Sequence, residues 1–221
     1  MVGTRGSALA LKQVEEVARL LRHIYPDIEV RMEIIETVGD RDRFTPISDV
    51  EGTDFFTREI ERKLLDGEID FAVHSAKDLP DELPRGLFIA AVTEPIDQRD
   101  ALVSRGGLRL MDLPPGTRIG TSSKRRKDFI KSRRPDCETV DLRGNVDERI
   151  EMLDKGRFDA ILIAAAGLIR LGLAHRITER IPVEELPPAT HQGSLAIEIR
   201  QDDTELAEIF RTLDCRLNKR D

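Results

Sequence analysis

LLDGEIDFAVHSAKDLP, residues 64–80, and MLDKGRFDAILIAAAGL, residues 152–168, follow one plan. Each leaves a helix-like end, turns at Asp66-Gly67 or Lys155-Gly156, passes an acidic residue and enters an apolar run that reads as a buried strand. A second pair matches in the same order. MVGTRGSALALKQV (1–14) and TRIGTSSKRRKDFI (117–130) each give a short apolar strand, Gly-Thr, small or hydroxyl residues, and then a helix. The two units recur at about residues 3–78 and 119–168, which predicts two similar α/β lobes.

Between these anchors, strand-like runs occupy 28–37, 69–75, 87–94, 118–123, 138–144, 158–167 and 195–200. Helical spacing of Leu9, Val14, Val17, Leu20 and Leu21 predicts a long first helix, and DFFTREIERKLLDG (54–67) a second that stops at Gly67. NVDERIEMLDKG and TELAEIFRTLD read the same way. Proline-rich seams follow each lobe, at TEPIDQRDAL and ERIPVEELPPATHQG. The last strand and helix, 195–213, then have no lobe of their own, so the chain is expected to cross back. Lobe 1 is expected to hold 1–95 plus 189–221 and lobe 2 to hold 96–188. Two crossings imply a hinged pair with a ligand cleft between them.

Composition narrows the function classes. The 221 residues are 39% hydrophobic and 35% charged, as in a globular chain able to bury a core. Trp is absent, aromatic content is 4% and net charge is -7, which argues against a nucleic-acid binder. Cys137 and Cys215 stand in no metal or disulfide spacing, and no metal site is expected. MVGTRGSALA lacks the basic start and apolar stretch of a signal peptide, nothing approaches a membrane span, and a cytoplasmic location is expected.

The strand-to-helix turns at 3–7 and 120–123 come first as candidate sites. A helix N-terminus offers unpaired N–H groups and partial positive charge to carboxylates or phosphates. Ser and Thr there are equally ordinary caps, so the arginines decide. Residues 121–149 hold nine Lys/Arg against six Asp/Glu, a local +3 in an acidic chain. Arg5, Arg125, Arg126, Arg143 and Arg149 sit near strand ends, where forked guanidinium groups bind a polyanionic ligand. Lys127, Lys131, Arg133 and Arg134 read instead as a solvated helical face. Lys77 and Asp78 follow a buried strand at its C-terminal edge, where α/β proteins place reactive groups. A carboxylate there can stabilise a developing cation and manage its protons. A salt-bridged loop ending at Pro80 accounts for the pair equally well. His74 reads as a structural hydrogen-bonding group.

GTRGSALAL, AVHSAKDLP, QRDALVS, IGTSSKRR, LRGNVDER, DAILIAAAGLIRLGL and LPPATHQGSLAIEIR together resemble the porphobilinogen deaminase (hydroxymethylbilane synthase) family, in order and over essentially the whole chain. Each motif alone is weak; the ordered set is specific. The resemblance implies two periplasmic-binding-protein-like lobes with a double crossover. It also implies a transferase of tetrapyrrole biosynthesis that joins four porphobilinogen molecules head to tail and releases ammonia at each step. Asp78 resembles the family's catalytic carboxylate, which helps ammonia leave and stabilises the azafulvenium cation; Lys77 resembles a ligand for cofactor or substrate side chains. Arg5, Ser7, Ser123, Arg125, Arg126, Arg143, Arg149 and Arg170 match positions that hold acetate and propionate groups, and Gln192 is expected to face the cleft.

Two departures accompany the resemblance. The family carries a third, C-terminal domain whose Cys forms a thioether to a dipyrromethane primer, and neither Cys137 nor Cys215 sits in that motif. The sequence stops at LDCRLNKRD, so that domain is expected to be absent or a separate polypeptide, and the chain to be a monomer. In GDRDRFTPISDVEGTDFF (39–56), Phe44 and Thr53 replace an Asp and a Lys that the family uses toward its cofactor, with Arg41 and Arg43 close by. Two readings follow: the enzyme, or a non-catalytic two-lobed module that binds carboxylates or tetrapyrroles. Lys77 and Asp78 favour the enzyme; the missing cysteine motif and altered loop favour the binder.

Overall fold

The computed structural model describes residues 1–42, 45, 54–80 and 82–217. Among them, those within Met1–Asp42, Glu51–Ile96 and Ser194–Asp221 make one compact unit, and those within Asp97–Gly193 a second. Phe44, Thr53 and Arg43 lie outside the described residues.

The first unit contains β1 (Val2–Thr4), α1 (Ala8–Ile24), β2 (Met32–Ile34), the single turn α2 (Val38–Arg41), α3 (Arg58–Leu65), β3 (Phe71–Ser75) and β4 (Leu87–Val92). The second contains β5 (Asp100–Ser104), β6 (Arg118–Gly120), α4 (Lys124–Arg133), β7 (Glu138–Val140), α5 (Val146–Asp154), β8 (Ala160–Ala164), α6 (Ala165–Arg170) and β9 (Glu179–Arg180). The chain then returns to the first unit as β10 (Leu195–Arg200) and α7 (Thr204–Arg211).

Each unit is built on a five-stranded sheet, in the orders β2-β1-β3-β10-β4 and β7-β6-β8-β5-β9. The sheets correspond strand for strand. The first three pair in parallel, and the fourth runs antiparallel beside the third. That fourth strand is always the one laid down just after the chain changes unit: β5 on entering the second, β10 on returning to the first. β10 pairs Ala196 with His74 and Ile197 with Val73; β5 pairs Leu102 with Leu162.

Alternation along the central strands builds a core on both faces. Phe71 and Val73 join Val14, Val17 and Leu21 of α1 and Phe210 of α7 in one cluster, while Ala72 faces Ile60 and Leu64 of α3 in another. In the second unit Ile161 and Ile163 pack with Ile150 and Leu153 of α5, and Ala160 and Leu162 with Phe129 and Ile130 of α4. Full burial of one such Leu or Ile contributes roughly 1.5–3 kcal/mol.

Several expected elements change. The run 158–167 ends as a strand at Ala164 and becomes helix α6, because Ala165, Ala166 and Gly167 carry no β-branched side chain to hold an extended backbone. Only 32–34 of the run 28–37 pairs as a strand, and β7 stops at Val140. β5 begins at the end of the first proline seam, TEPIDQRDAL, and β9 is the start of the second, ERIPVEELPPATHQG.

Candidate functional site

In the first unit, β3 delivers the polypeptide into a 3-10 turn, Ala76–Asp78, that exposes Lys77 and Asp78 on consecutive residues. Two hydrogen bonds fix the approach. Gln13 Nε2 of α1 donates to Ser75 Oγ at 2.8 Å, and the Ala76 amide donates to the Ser194 carbonyl at 3.1 Å, where the chain re-enters the unit. One step earlier, His74 Nε2 lies 3.1 Å from Glu198 Oε2 of β10, both side chains buried. His74 is thus a structural partner within the sheet, while Asp78 and the adjacent Lys77 are exposed.

The β1–α1 turn places Arg5 and Ser7. Ser7 caps α1, its Oγ accepting from the Ala10 amide at 3.2 Å. Arg5 donates from Nε to both carboxylate oxygens of Asp40, at 3.0 and 3.3 Å, and from NH2 to Oδ1, while its guanidinium lies 4.5 Å from the centre of the Phe56 ring. Burial pushes the Asp40 carboxyl upward. The Arg5 guanidinium and two hydrogen bonds from Thr37 outweigh that and hold it below the usual carboxylate range.

In the second unit the β6–α4 turn places Ser123 at the N-cap of a ten-residue helix, with a hydroxyl that does not cap its own helix. Ser122 Oγ instead bridges to the backbone of Leu142, donating to its carbonyl and accepting from its amide at 2.9 Å each. The neighbouring Thr121 Oγ1 is buried with no hydrogen-bond partner, as is Thr4 Oγ1 in the equivalent β1–α1 turn.

Asp100, which sequence reasoning gave no role, organises the arginines. It is fully buried at the start of β5. Its Oδ2 accepts from Arg125 NH2 at 2.6 Å, and its Oδ1 from Arg126 Nε at 2.9 Å and Gln192 Nε2 at 3.2 Å. Arg125 NH1 also donates to the Pro187 carbonyl at 2.7 Å, and Gln192 Nε2 to the Gln98 carbonyl at 2.8 Å. Arg126 and Gln192 are therefore buried members of a network, and Arg125, at its edge, is partly exposed. The only advance signal was an Asp standing directly before an apolar run in QRDALVS.

The remaining arginines sit on loops and helix ends. Arg149 Nε donates to the Gly144 carbonyl at 2.8 Å, closing the LRGNVDER loop onto the first turn of α5. Arg143 precedes that glycine and is half-buried. Arg170, last residue of α6, donates to the Gly193 carbonyl at 2.9 Å, beside Gln192 in sequence. One expectation is overturned: Arg134 is not on a solvated face. It is buried, donates to the Leu110 and Leu113 carbonyls at 2.6 Å each, and pairs with Asp136, because the helix ends there and its side chain folds back over the 3-10 turn Leu110–Asp112.

Cys215 is buried among Ala76, Val92 and Ala196, with its Sγ donating to the Thr93 carbonyl at 3.5 Å. Cys137 is half-buried, and burial pushes its thiol upward. Cys215 is thus shut off from solvent, and burial favours the neutral thiol at Cys137. Among the described residues no group of His, Cys, Asp and Glu is arranged to hold a metal ion, and no helix is long and apolar enough to cross a membrane.

Comparison with known proteins places the chain in a family. Residues 1–208 match the family model described as "Porphobilinogen deaminase, dipyromethane cofactor binding domain". Curated proteins named porphobilinogen deaminase are similar along nearly all of the chain: 45% identical over 213 residues in Chlorobium chlorochromatii, 46% over 220 in Syntrophomonas wolfei and 47% over 214 in Desulforudis audaxviator. These alignments cover 96, 100 and 97% of the chain and 68, 71 and 69% of the relatives' lengths. Among solved structures, the fold is similar to a putative methionine-binding lipoprotein from Bacillus subtilis (TM-score 0.54, 12% identity, 96% of this chain and 88% of that one). It is also similar to the VFT2 domain of Bordetella pertussis BvgS (TM-score 0.51, 18% identity, 96% and 84%).

Proposed function

The chain belongs to the porphobilinogen deaminase family, and from that premise we propose that it joins four porphobilinogen molecules into the linear tetrapyrrole hydroxymethylbilane, with release of ammonia at each addition. The observation that carries the reading is the pair Lys77–Asp78, exposed on a short turn that β3, Gln13 and Ser194 hold in place. A pyrrole with two carboxylates reacts here by losing its aminomethyl nitrogen. The Asp78 carboxylate hydrogen-bonds the leaving ammonium and stabilises the cation left on the ring; Lys77 draws a substrate carboxylate alongside it. Arg5, Ser7, Ser123, Arg125, Arg143, Arg149 and Arg170 bind further acetate and propionate groups, while Arg126 and Gln192 position Arg125 through Asp100.

The dipyrromethane primer of the family supplies, when bound, the pyrrole carbon on which the chain grows. Its carboxylates suit the donor set present: a helix N-cap hydroxyl left uncommitted at Ser123, the orphaned Thr121 Oγ1, and Arg125 at the edge of its network. Its thioether does not suit either cysteine, since one thiol is sealed in a core and the other is pushed upward by burial. The primer thiol is accordingly assigned to a position outside residues 1–221, and the protein to the cytoplasm as a monomer.

The test is a parallel assay of porphobilinogen consumption and ammonia release, by the chain alone and with the C-terminal part of a curated relative added. Asp78→Asn is expected to lower turnover by about 10²–10³-fold with binding nearly unchanged. An Asp78→Asn chain that turns over normally overturns the assignment. Intact mass after incubation is expected to match the sequence; pyrrole-unit increments on Cys137 or Cys215 would return primer attachment to this chain.

A further inference from the structure

Arg5 already holds a carboxylate. The geometry points to Asp40 as an internal stand-in for a ligand carboxylate, one that must leave Arg5 before a pyrrole acetate or propionate can take its place. The inference deepens the function proposed above and rests on its assignment of Arg5 to carboxylate binding.

The contact has the form such a ligand would adopt. Nε and NH2 of Arg5 both donate to Oδ1 of one carboxylate, and Nε reaches its Oδ2 as well, so two guanidinium donors grip a single carboxylate as they would a ligand's. The guanidinium plane lies near the Phe56 ring at 4.5 Å, so its orientation is set independently of the anion. A ligand therefore meets an arginine already aimed, provided that Asp40 withdraws.

Asp40 can withdraw without being stranded. Its Oδ2 also accepts from the Thr37 amide at 3.1 Å and the Thr37 hydroxyl at 2.8 Å, bonds within its own α2 turn that do not depend on Arg5. Both members of the pair are partly exposed, at 25% and 21%, so water can hydrate the carboxylate as it parts. The other prominent Arg–Asp contact is different in kind. Asp100 is fully buried and grips two arginines and a glutamine at once, so no ligand displaces it. One aspartate is built to exchange and the other to stay.

The discriminating variant is Asp40→Asn. The amide keeps the shape and can still accept from Thr37, but it removes the competing charge. Porphobilinogen binding is measured calorimetrically in an Asp78→Asn background, where turnover is suppressed, with and without Asp40→Asn. If Asp40 competes, the substitution tightens binding by about two- to fivefold, the range that a partly exposed ion pair carries. If Asp40 only positions Arg5, binding weakens or stays the same, and the inference is overturned. A second readout is independent of the proposed substrate. The Arg5 Nε–H resonance is followed during titration with glutarate, a dicarboxylate without a pyrrole. Competition predicts that it shifts at lower glutarate concentration in Asp40→Asn than in the parent. Equal midpoints overturn the exchange, while a glutarate shift without any porphobilinogen binding overturns the functional reading and leaves the exchange standing.

Discussion

Arg126 and Asp100 meet as a buried pair inside the second unit, Nε to Oδ1 at 2.9 Å, with Arg125 on the other carboxylate oxygen and Gln192 closing the remaining side. The carboxylate starts a strand and the guanidinium lies in the first turn of a helix, so the pair ties β5 to α4. Removing one partner of such a pair costs more than the pair itself contributes, because the other charge stays buried and unpaired.

Asp100→Asn keeps the side-chain shape and withdraws the charge. We expect a loss of about 3–5 kcal/mol of stability, read as a lowered urea midpoint. Binding of carboxylated ligands should weaken as well, since Arg125 loses the anchor that orients it. An unchanged midpoint would show that water reaches Arg126 readily and that the network is not structural.

How far the sequence led depends on whether the signal was local. Phe71-Ala72-Val73 announces β3, because three apolar residues between a Gly turn and a polar cluster suffice for a buried strand. The paired motifs announce the duplication, visible in two sheets of the same strand plan. β5 was not legible, since Ala101-Leu102-Val103 has no glycine turn in front of it and follows a charged, proline-containing seam, and its extended form depends on pairing with β8, some sixty residues later. Asp100 was hidden for the same reason: its partners lie 25, 26 and 92 residues away. Arg134 looked solvated because its helix is strongly basic, yet its backbone carbonyl partners come from a 3-10 turn that no local pattern links to it.

Glu61 of α3 is a buried carboxylate in the first unit, near Glu198 and His74. Burial raises its carboxyl above the ordinary range, repulsion from Glu198 adds to this, and His74 opposes it. The folded state therefore holds the proton more tightly than the unfolded chain does. Below the unfolded value both states are protonated and Glu61 adds no penalty. As pH rises toward the folded value, the unfolded chain gains by ionising, and stability falls. Glu61→Gln should remove that loss, raising Tm by about 2–4 °C at pH 7, with the gain shrinking as pH is lowered toward 4. A gain that does not depend on pH would assign the effect to packing rather than to the proton.

Gly144 holds the LRGNVDER loop in a conformation that only glycine adopts easily, with φ at +99°. A Cβ there would lie 2.8 Å from Glu148 Oε2, the oxygen that accepts from the Asn145 amide at 2.8 Å in the capping box of α5. The same glycine offers its carbonyl to Arg149. Gly144→Ala should thus strain the backbone, push Glu148 off the cap and misdirect Arg149 together, at a cost of about 1–3 kcal/mol. Adding Glu148→Ala to Gly144→Ala separates the two effects. If the steric clash dominates, the double variant recovers stability relative to Gly144→Ala alone. If backbone strain dominates, the double variant is the less stable, having lost the cap as well. Carboxylate binding through Arg149 should weaken in both variants, because the strained loop no longer presents the Gly144 carbonyl that orients the guanidinium.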